Sequence, residues 1–385
     1  MRASHSRSSA NTRASLLVSC VLGAALASSA CGGEDVQRPP PPPPIARPAD
    51  AGAPSTAAVD PLGPRPALSE PLPFTPPVPA SYKRENGLTV WLLERHSVPL
   101  VSMELVVSAG AAIDPEGKGG LAWMTANMLD EGAGSRGALD ISRDVDRLGA
   151  TLRTGAHADF AYVQITALKK NLGAAAPIFG DIITSPTMSP VEFKRVHDLW
   201  ENALKQRQSE PSEVADVVML KKSFPANHPY AHPADGTIAS AAKVGLEDVK
   251  KLYKEQWRPD KATLVVVGDI TRAELDATLD QAKLGATWKA PATPAAGPPP
   301  RNEKDAPPPA GRRVVIVDRA DAPQSMVDLV RPAVAAGDAD EAPLVRVNNA
   351  LGGSFTSRLN QDLREEHGWS YGAHTSVQHT RLKGL

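Results

Sequence analysis

The chain has 385 residues, with 42 basic against 43 acidic side chains, 37 prolines and only 2 cysteines. A balance this even, with no block of basic residues, excludes nucleic acid and anionic membrane surfaces as expected partners. Taken from the start, Arg2, Arg7 and Arg13 precede the apolar run "SLLVSCVLGAALASSA", which reads as a secretory signal peptide over residues 1–30. Small residues lead into Cys31, as at a lipoprotein processing site, although Ser28 stands where Leu is usual. Cys20 falls in the leader, so Cys31 is the one cysteine expected in the mature chain; it is the predicted lipidation site and leaves no internal disulfide. These features predict an exported, membrane-anchored lipoprotein of a bacterial envelope, facing the periplasm and held by its lipid alone; the alternative is plain secretion with the same cut. Residues 31–81 are rich in Pro and Ala and read as an extended tether.

The folded part is expected from about Tyr82. "GLTVWLLER" and "PLVSMELVVSAGA" read as strands joined by a short turn at "HSVP". A helix follows the glycine pair Gly119–Gly120, then another over "LDISRDVDRLGA", then a hairpin over "TLRTGAHADFAYVQITAL". Helices are predicted at about 170–184, 190–208, 212–223 and over "LEDVKKLYKEQW", and a strand over "KATLVVVGDI". This order predicts an α+β fold, a largely antiparallel sheet covered by helices. The first domain is placed at 82–290, a Pro-rich linker at 291–311 and a second domain at 312–385. The second repeats the first: Glu94-Arg95 with Pro99 is echoed by Asp318-Arg319 with Pro323, each expected between two strands. At 74 residues the second unit is predicted to be an incomplete copy.

Three stretches together resemble the insulinase/pitrilysin-type peptidases, the inverted zincins, in the bacterial branch near the mitochondrial processing peptidases. They are "NGLTVWLLERHSVPLVSMELVVSAGAAIDPEGKGGLAWMTANMLDEG", "YKEQWRPDKATLVVVGDI" and "SFTSRLNQDLREEHGWSYGA". The resemblance implies two homologous α+β domains. It also implies a zinc helix carrying H-x-x-E-H after the glycine pair, where two His ligands lie one turn apart beside a Glu base. Here those positions hold Trp123, Ala126 and Asn127. The third ligand, a Glu on a later helix, is expected near Asn202 or Ala203, with Glu201 one step away. A lone Glu does not hold catalytic zinc, which takes three protein ligands and a water. The resemblance therefore implies no catalytic residue, no metal and no cofactor in this chain, with zinc expected in a homologous partner subunit.

His228 and His232 are four apart, but Pro229 and Pro233 forbid a regular helix there and argue against a metal pair. Arg364 and Tyr371 match the family's substrate-contacting Arg and Tyr, and "GGSF" at Gly352–Phe355 stands where processing peptidases keep a glycine-rich loop. Arg364 is expected on a helix ended by Gly368, and Tyr371 on the strand after it. Three functions are open. One is a non-catalytic subunit that lends Arg364 and Tyr371 to a zinc-bearing homologue acting on extended peptides. The second is a peptide-binding or scaffold protein with no peptidase role. The third is an active peptidase using an unrecognised site.

Overall fold

The structure is a computed structural model, and it describes residues 67, 69–70, 72–292, 312–320 and 322–385. The predicted leader, Cys31, most of the tether and nearly all of the linker lie outside the described residues. No described helix is long and apolar enough to cross a membrane.

The described strands, in chain order, are β1 (Ala80–Lys83), β2 (Thr89–Glu94), β3 (Leu100–Val107), β4 (Thr151–Ala156), β5 (Ala161–Leu168) and β6 (Ala262–Gly268). They form one sheet in the order β1-β2-β6-β3-β5-β4, antiparallel throughout except for the parallel pair β2 and β6. Alternation decides which face is inside. Val101, Met103, Leu105 and Val107 of β3 are buried, as are Val163 and Ile165 of β5 and Leu264 and Val266 of β6. The opposite face carries polar pairs: Ser102 with Thr166 at 2.9 Å, and Gln164 donating to Glu104 at 3.1 Å.

The helices are α1 (Leu121–Asn127), α2 (Ala138–Arg147), α3 (Leu172–Thr184), α4 (Pro190–Arg207), α5 (Pro211–Ser223), α6 (Ile238–Ala241), α7 (Leu246–Gln256) and α8 (Arg272–Gln281). α1 packs on α7, β4 and β5, α3 on β5 and α8, and α4 on α6. Several starts are chemically marked. Ser189 caps α4, accepting from the Glu192 amide at 3.2 Å, with Pro190 in the first turn; Thr271 and Glu274 form a capping box on α8. α1 begins on buried Asp114, whose two carboxylate oxygens accept from the Gly120 and Ala122 amides at 2.7 and 2.8 Å. A negative charge there satisfies two otherwise unbonded amides and complements the helix dipole.

The fold is thus the predicted α+β layer, and two details differ. The strands flanking the "HSVP" turn do not pair with each other. β6, some 160 residues later in the chain, inserts between them, so β2 and β3 each spend a hydrogen-bonding edge on it. Their close fit is tightest at Gly268, where a Cβ would stand 2.2 Å from the Leu100 carbonyl oxygen.

The second difference concerns 312–385. The strand-like runs on either side of Asp318–Pro323 are extended but form no sheet among the described residues. Val314, Ile316 and Leu329 are 83, 85 and 97 % exposed. An apolar run becomes a strand only where a neighbouring strand takes its hydrogen bonds and a face takes its side chains, and neither is present for these runs among the described residues. The ordered elements here are α9 (Glu341–Asn348), a π-helical turn at Asn349–Gly353, and the short α10 (Arg358–Asn360) continued by a second π-helical turn over Gln361–Glu366. Residues Phe74–Leu385 form one compact unit. Within it Tyr230 and Asp159 hold the segment near Leu382: the Tyr230 hydroxyl donates to Asp159 at 2.7 Å and accepts from the Leu382 amide at 3.0 Å.

Candidate functional site

α1 presents the three positions where the resemblance places H-x-x-E-H. Ala126 is fully buried. The Asn127 side-chain amide donates to the Trp123 carbonyl at 2.8 Å, one turn back in its own helix. The Trp123 ring lies 5.6 Å from Trp200 of α4, tilted by 30°. Trp200 is 2 % exposed, its indole N–H donates to the Asp235 carbonyl at 2.9 Å, and His197 meets its ring edge-on at 5.6 Å. Gly120, at φ +95°, makes room for this ring: a Cβ there would lie 2.5 Å from Trp200 Cζ2.

These residues do not fit a zinc ion. An indole, a methyl group and an amide turned onto its own helix offer no ligand set of imidazole and carboxylate. Nor does α4 make up the loss. Asn202 and Ala203 are exposed, and the residue that α4 turns toward α1 is Trp200. Glu201 beside it is engaged by Lys205 at 3.4 Å and His197 at 3.9 Å. The sequence does not single out Trp200; a large apolar residue next to the expected ligand position is the signal that could have done so.

His228 and His232 do not make a metal pair either. His228 is buried and stacked on Phe224, ring centroids 4.6 Å apart, and its Nδ1 accepts from the Tyr230 amide at 3.1 Å. His232 Nδ1 bonds the Pro233 carbonyl at 2.9 Å.

Beside α1, a groove of about 760 Å³ opens between α2, the edge strand β4 and the start of α4. Asp130, Glu131, Ser142, Leu152, Glu192 and Arg195 are among its lining residues. Burial pushes the Asp130 carboxyl up to about 6, with the Glu131 charge adding to the shift, against the opposing effects of the Thr154 hydroxyl and Arg195. Arg195 is itself tied to Glu131 and Glu192. β4 lies at the edge of the sheet, so the groove runs along backbone groups able to pair with an added strand.

The structure brings Arg364 and Tyr371 together in the C-terminal part. The Arg364 guanidinium carbon stands 4.2 Å from the Phe355 ring centroid and 5.4 Å from that of Tyr371. Tyr371 is 90 % exposed and follows the helix on an irregular segment, not on the predicted strand. Gly368, at φ +62°, ends the helical turn as predicted. A residue the sequence reading missed holds this arrangement. Buried Asn360 donates to the Ser354 and Ala373 carbonyls at 3.1 and 2.9 Å and accepts from the Ala373 amide at 2.8 Å. It clips the loop bearing Phe355 to the segment bearing Tyr371, a job that needs a donor and an acceptor on one short side chain. The "GGSF" turn leads into that loop, and Gly352 packs against Thr375, where a Cβ would lie 2.6 Å from its side chain.

Fold and site together define a peptidase-type α+β domain whose metal positions are filled by residues that cannot ligate. The insulinase (peptidase family M16) model matches residues 89–233, and the model for the peptidase M16 inactive domain matches 243–385. The chain belongs to the insulinase-type peptidase family, as a member without the family's zinc-binding motif. It is 21 % identical over 296 residues to an uncharacterized zinc protease, YmxG, of Bacillus subtilis, covering 76 % of this chain and 69 % of that one. It is 24 % identical over 282 residues to the non-peptidase homolog YmxG of Helicobacter pylori, covering 72 % of this chain and 62 % of the relative. The chain thus spans about two thirds of the length of these two relatives. The crystal structure of a peptidase M16 inactive domain from Pseudomonas fluorescens shares the fold, with a TM-score of 0.65 at 21 % identity over 80 % of this chain and 72 % of that one.

Proposed function

We propose that this chain is a non-catalytic subunit of an exported zinc metallopeptidase, anchored through Cys31 and paired with a zinc-bearing homologue. The observation that carries the reading is an asymmetry. The metal side is shut by Trp123 and Trp200, while Arg364 and Tyr371 stand together at the surface. In this reading an extended peptide lies in the complex, and the Arg364 guanidinium and Tyr371 hydroxyl donate to its carbonyl oxygens or to the oxyanion formed during attack. Zinc, with its activated water and base, belongs to the partner.

The test is a pair. The purified chain is expected to hold no stoichiometric zinc after dialysis, and one tightly held zinc per chain by elemental analysis would refute the reading. In an assembled pair, Arg364→Ala and Tyr371→Phe are each expected to lower peptide turnover about 100- to 1,000-fold, the weight of one preorganised donor. Turnover within about twofold of wild type for both variants would return the two residues to structure.

The second reading, a peptide-binding or scaffold protein with no peptidase role, is supported by the Helicobacter pylori relative named a non-peptidase homolog. Copurification with a protein carrying H-x-x-E-H separates the two readings.

A further inference from the structure

We propose that Phe355 is a positioning residue for Arg364, holding the guanidinium where it can meet a peptide; this rests on the peptide-contacting role proposed for Arg364. A guanidinium on a surface helix ordinarily samples many rotamers, and immobilising it for each contact costs entropy. Here it lies over two rings, 4.2 Å from the Phe355 centroid and 5.4 Å from that of Tyr371. Cation–π attraction at these distances holds the plane of the fork without consuming its N–H donors.

The donors bear this out. Among the described residues Arg364 Nη1 is buried and makes no hydrogen bond; Glu365 Oε1 stands 3.3 Å away, a charge contact outside hydrogen-bonding geometry. Burial of one end of the fork marks a guanidinium held in place, and the side chain as a whole stays 27 % exposed. Phe355 itself is 66 % exposed, which is more than a ring placed only for packing would show. Its position is set by the loop that Asn360 clips at Ser354. Loop, ring and guanidinium form one chain of placement.

The experiment has two readouts on the full chain. The first is the rate at which phenylglyoxal modifies Arg364, followed by mass spectrometry, with exposed Arg153 of β4 as internal reference. The second is binding of a fluorescein-labelled casein peptide by anisotropy. Phe355→Leu is expected to speed modification of Arg364 and weaken peptide binding, each by about two- to fivefold, the weight of an exposed cation–π contact. Phe355→Trp restores both, and neither variant changes the unfolding midpoint by more than an exposed substitution does. An unchanged modification rate in Phe355→Leu overturns the proposal, as does equal behaviour of the Leu and Trp variants. Faster modification without weaker binding, where Arg364→Ala does weaken it, also overturns it. If Arg364→Ala itself binds the peptide like wild type, the peptide role of Arg364 fails and the inference with it. The modification rate then shows that the stacking was real.

Discussion

Truncating Trp200 to alanine tests whether the former metal site is now core. The ring is 2 % exposed, touches Trp123 and His197, and lies over the space left by Gly120. Removing a buried tryptophan costs about 3–5 kcal/mol, from lost transfer energy and from the cavity that remains. The indole N–H also leaves the Asp235 carbonyl without its donor, worth about 1 kcal/mol more where water does not replace it. The expected loss is therefore about 4–6 kcal/mol, a large part of the ~5–15 kcal/mol that holds a domain together. Urea unfolding followed by far-UV circular dichroism measures it, because that signal does not depend on the deleted indole. Trp200→Phe keeps most of the ring and loses the N–H, so it should fall well between the two. A loss below about 0.5 kcal/mol for Trp200→Ala, the level of an unimportant surface site, would mean that the space between α1 and α4 is open to water and that its description as core is wrong.

Two further outcomes follow from the same neighbourhood. Gly120→Ala must force φ +95° on an L-residue and push its Cβ against Trp200 Cζ2 at 2.5 Å and the Asp235 carbonyl oxygen at 2.9 Å. Backbone strain and overpacking each cost about 1–3 kcal/mol, so a destabilisation of about 2–5 kcal/mol is expected by urea titration. Gly173→Ala, in α3 with open space at its Cβ, should instead stabilise by about 0.5–1 kcal/mol. Asp130 gives the pH test. Its folded pKa, pushed up to about 6 by burial, exceeds the unfolded value of 3.8, so the folded state favours the protonated form. That contribution is fully present below pH ~4 and is lost as pH rises through ~6. Asp130→Asn should remove the charge penalty and gain about 1–3 kcal/mol relative to wild type at pH 7.5, with the gain shrinking toward pH 4. Equal differences at both pH values would contradict the burial assigned to this carboxyl.

Much of the fold was legible before any coordinates. The helices over 172–184, 190–207 and 246–256 and the strands β2 to β6 follow from apolar spacing, which acts within a few residues of the chain. The absence of zinc ligands at Trp123, Ala126 and Asn127 is also a fact of sequence, because no arrangement in space turns an indole or a methyl group into a ligand. What periodicity reports is that a face is buried; it does not report what covers it. For that reason only the tertiary structure placed β6 between β2 and β3, and turned Trp200 rather than Glu201 toward α1. The same limit hid Asn360 and Phe355. Their roles depend on a loop and a segment more than ten residues apart being held together, and on a ring lying under a guanidinium. It hid Asp130 too, since a carboxyl's titration is set by how much water its neighbours exclude. The strand-like runs at Val314–Val317 and Met326–Val330 show the converse: their pattern is correct for strands, yet strand formation is decided by a partner edge, which pattern alone cannot supply.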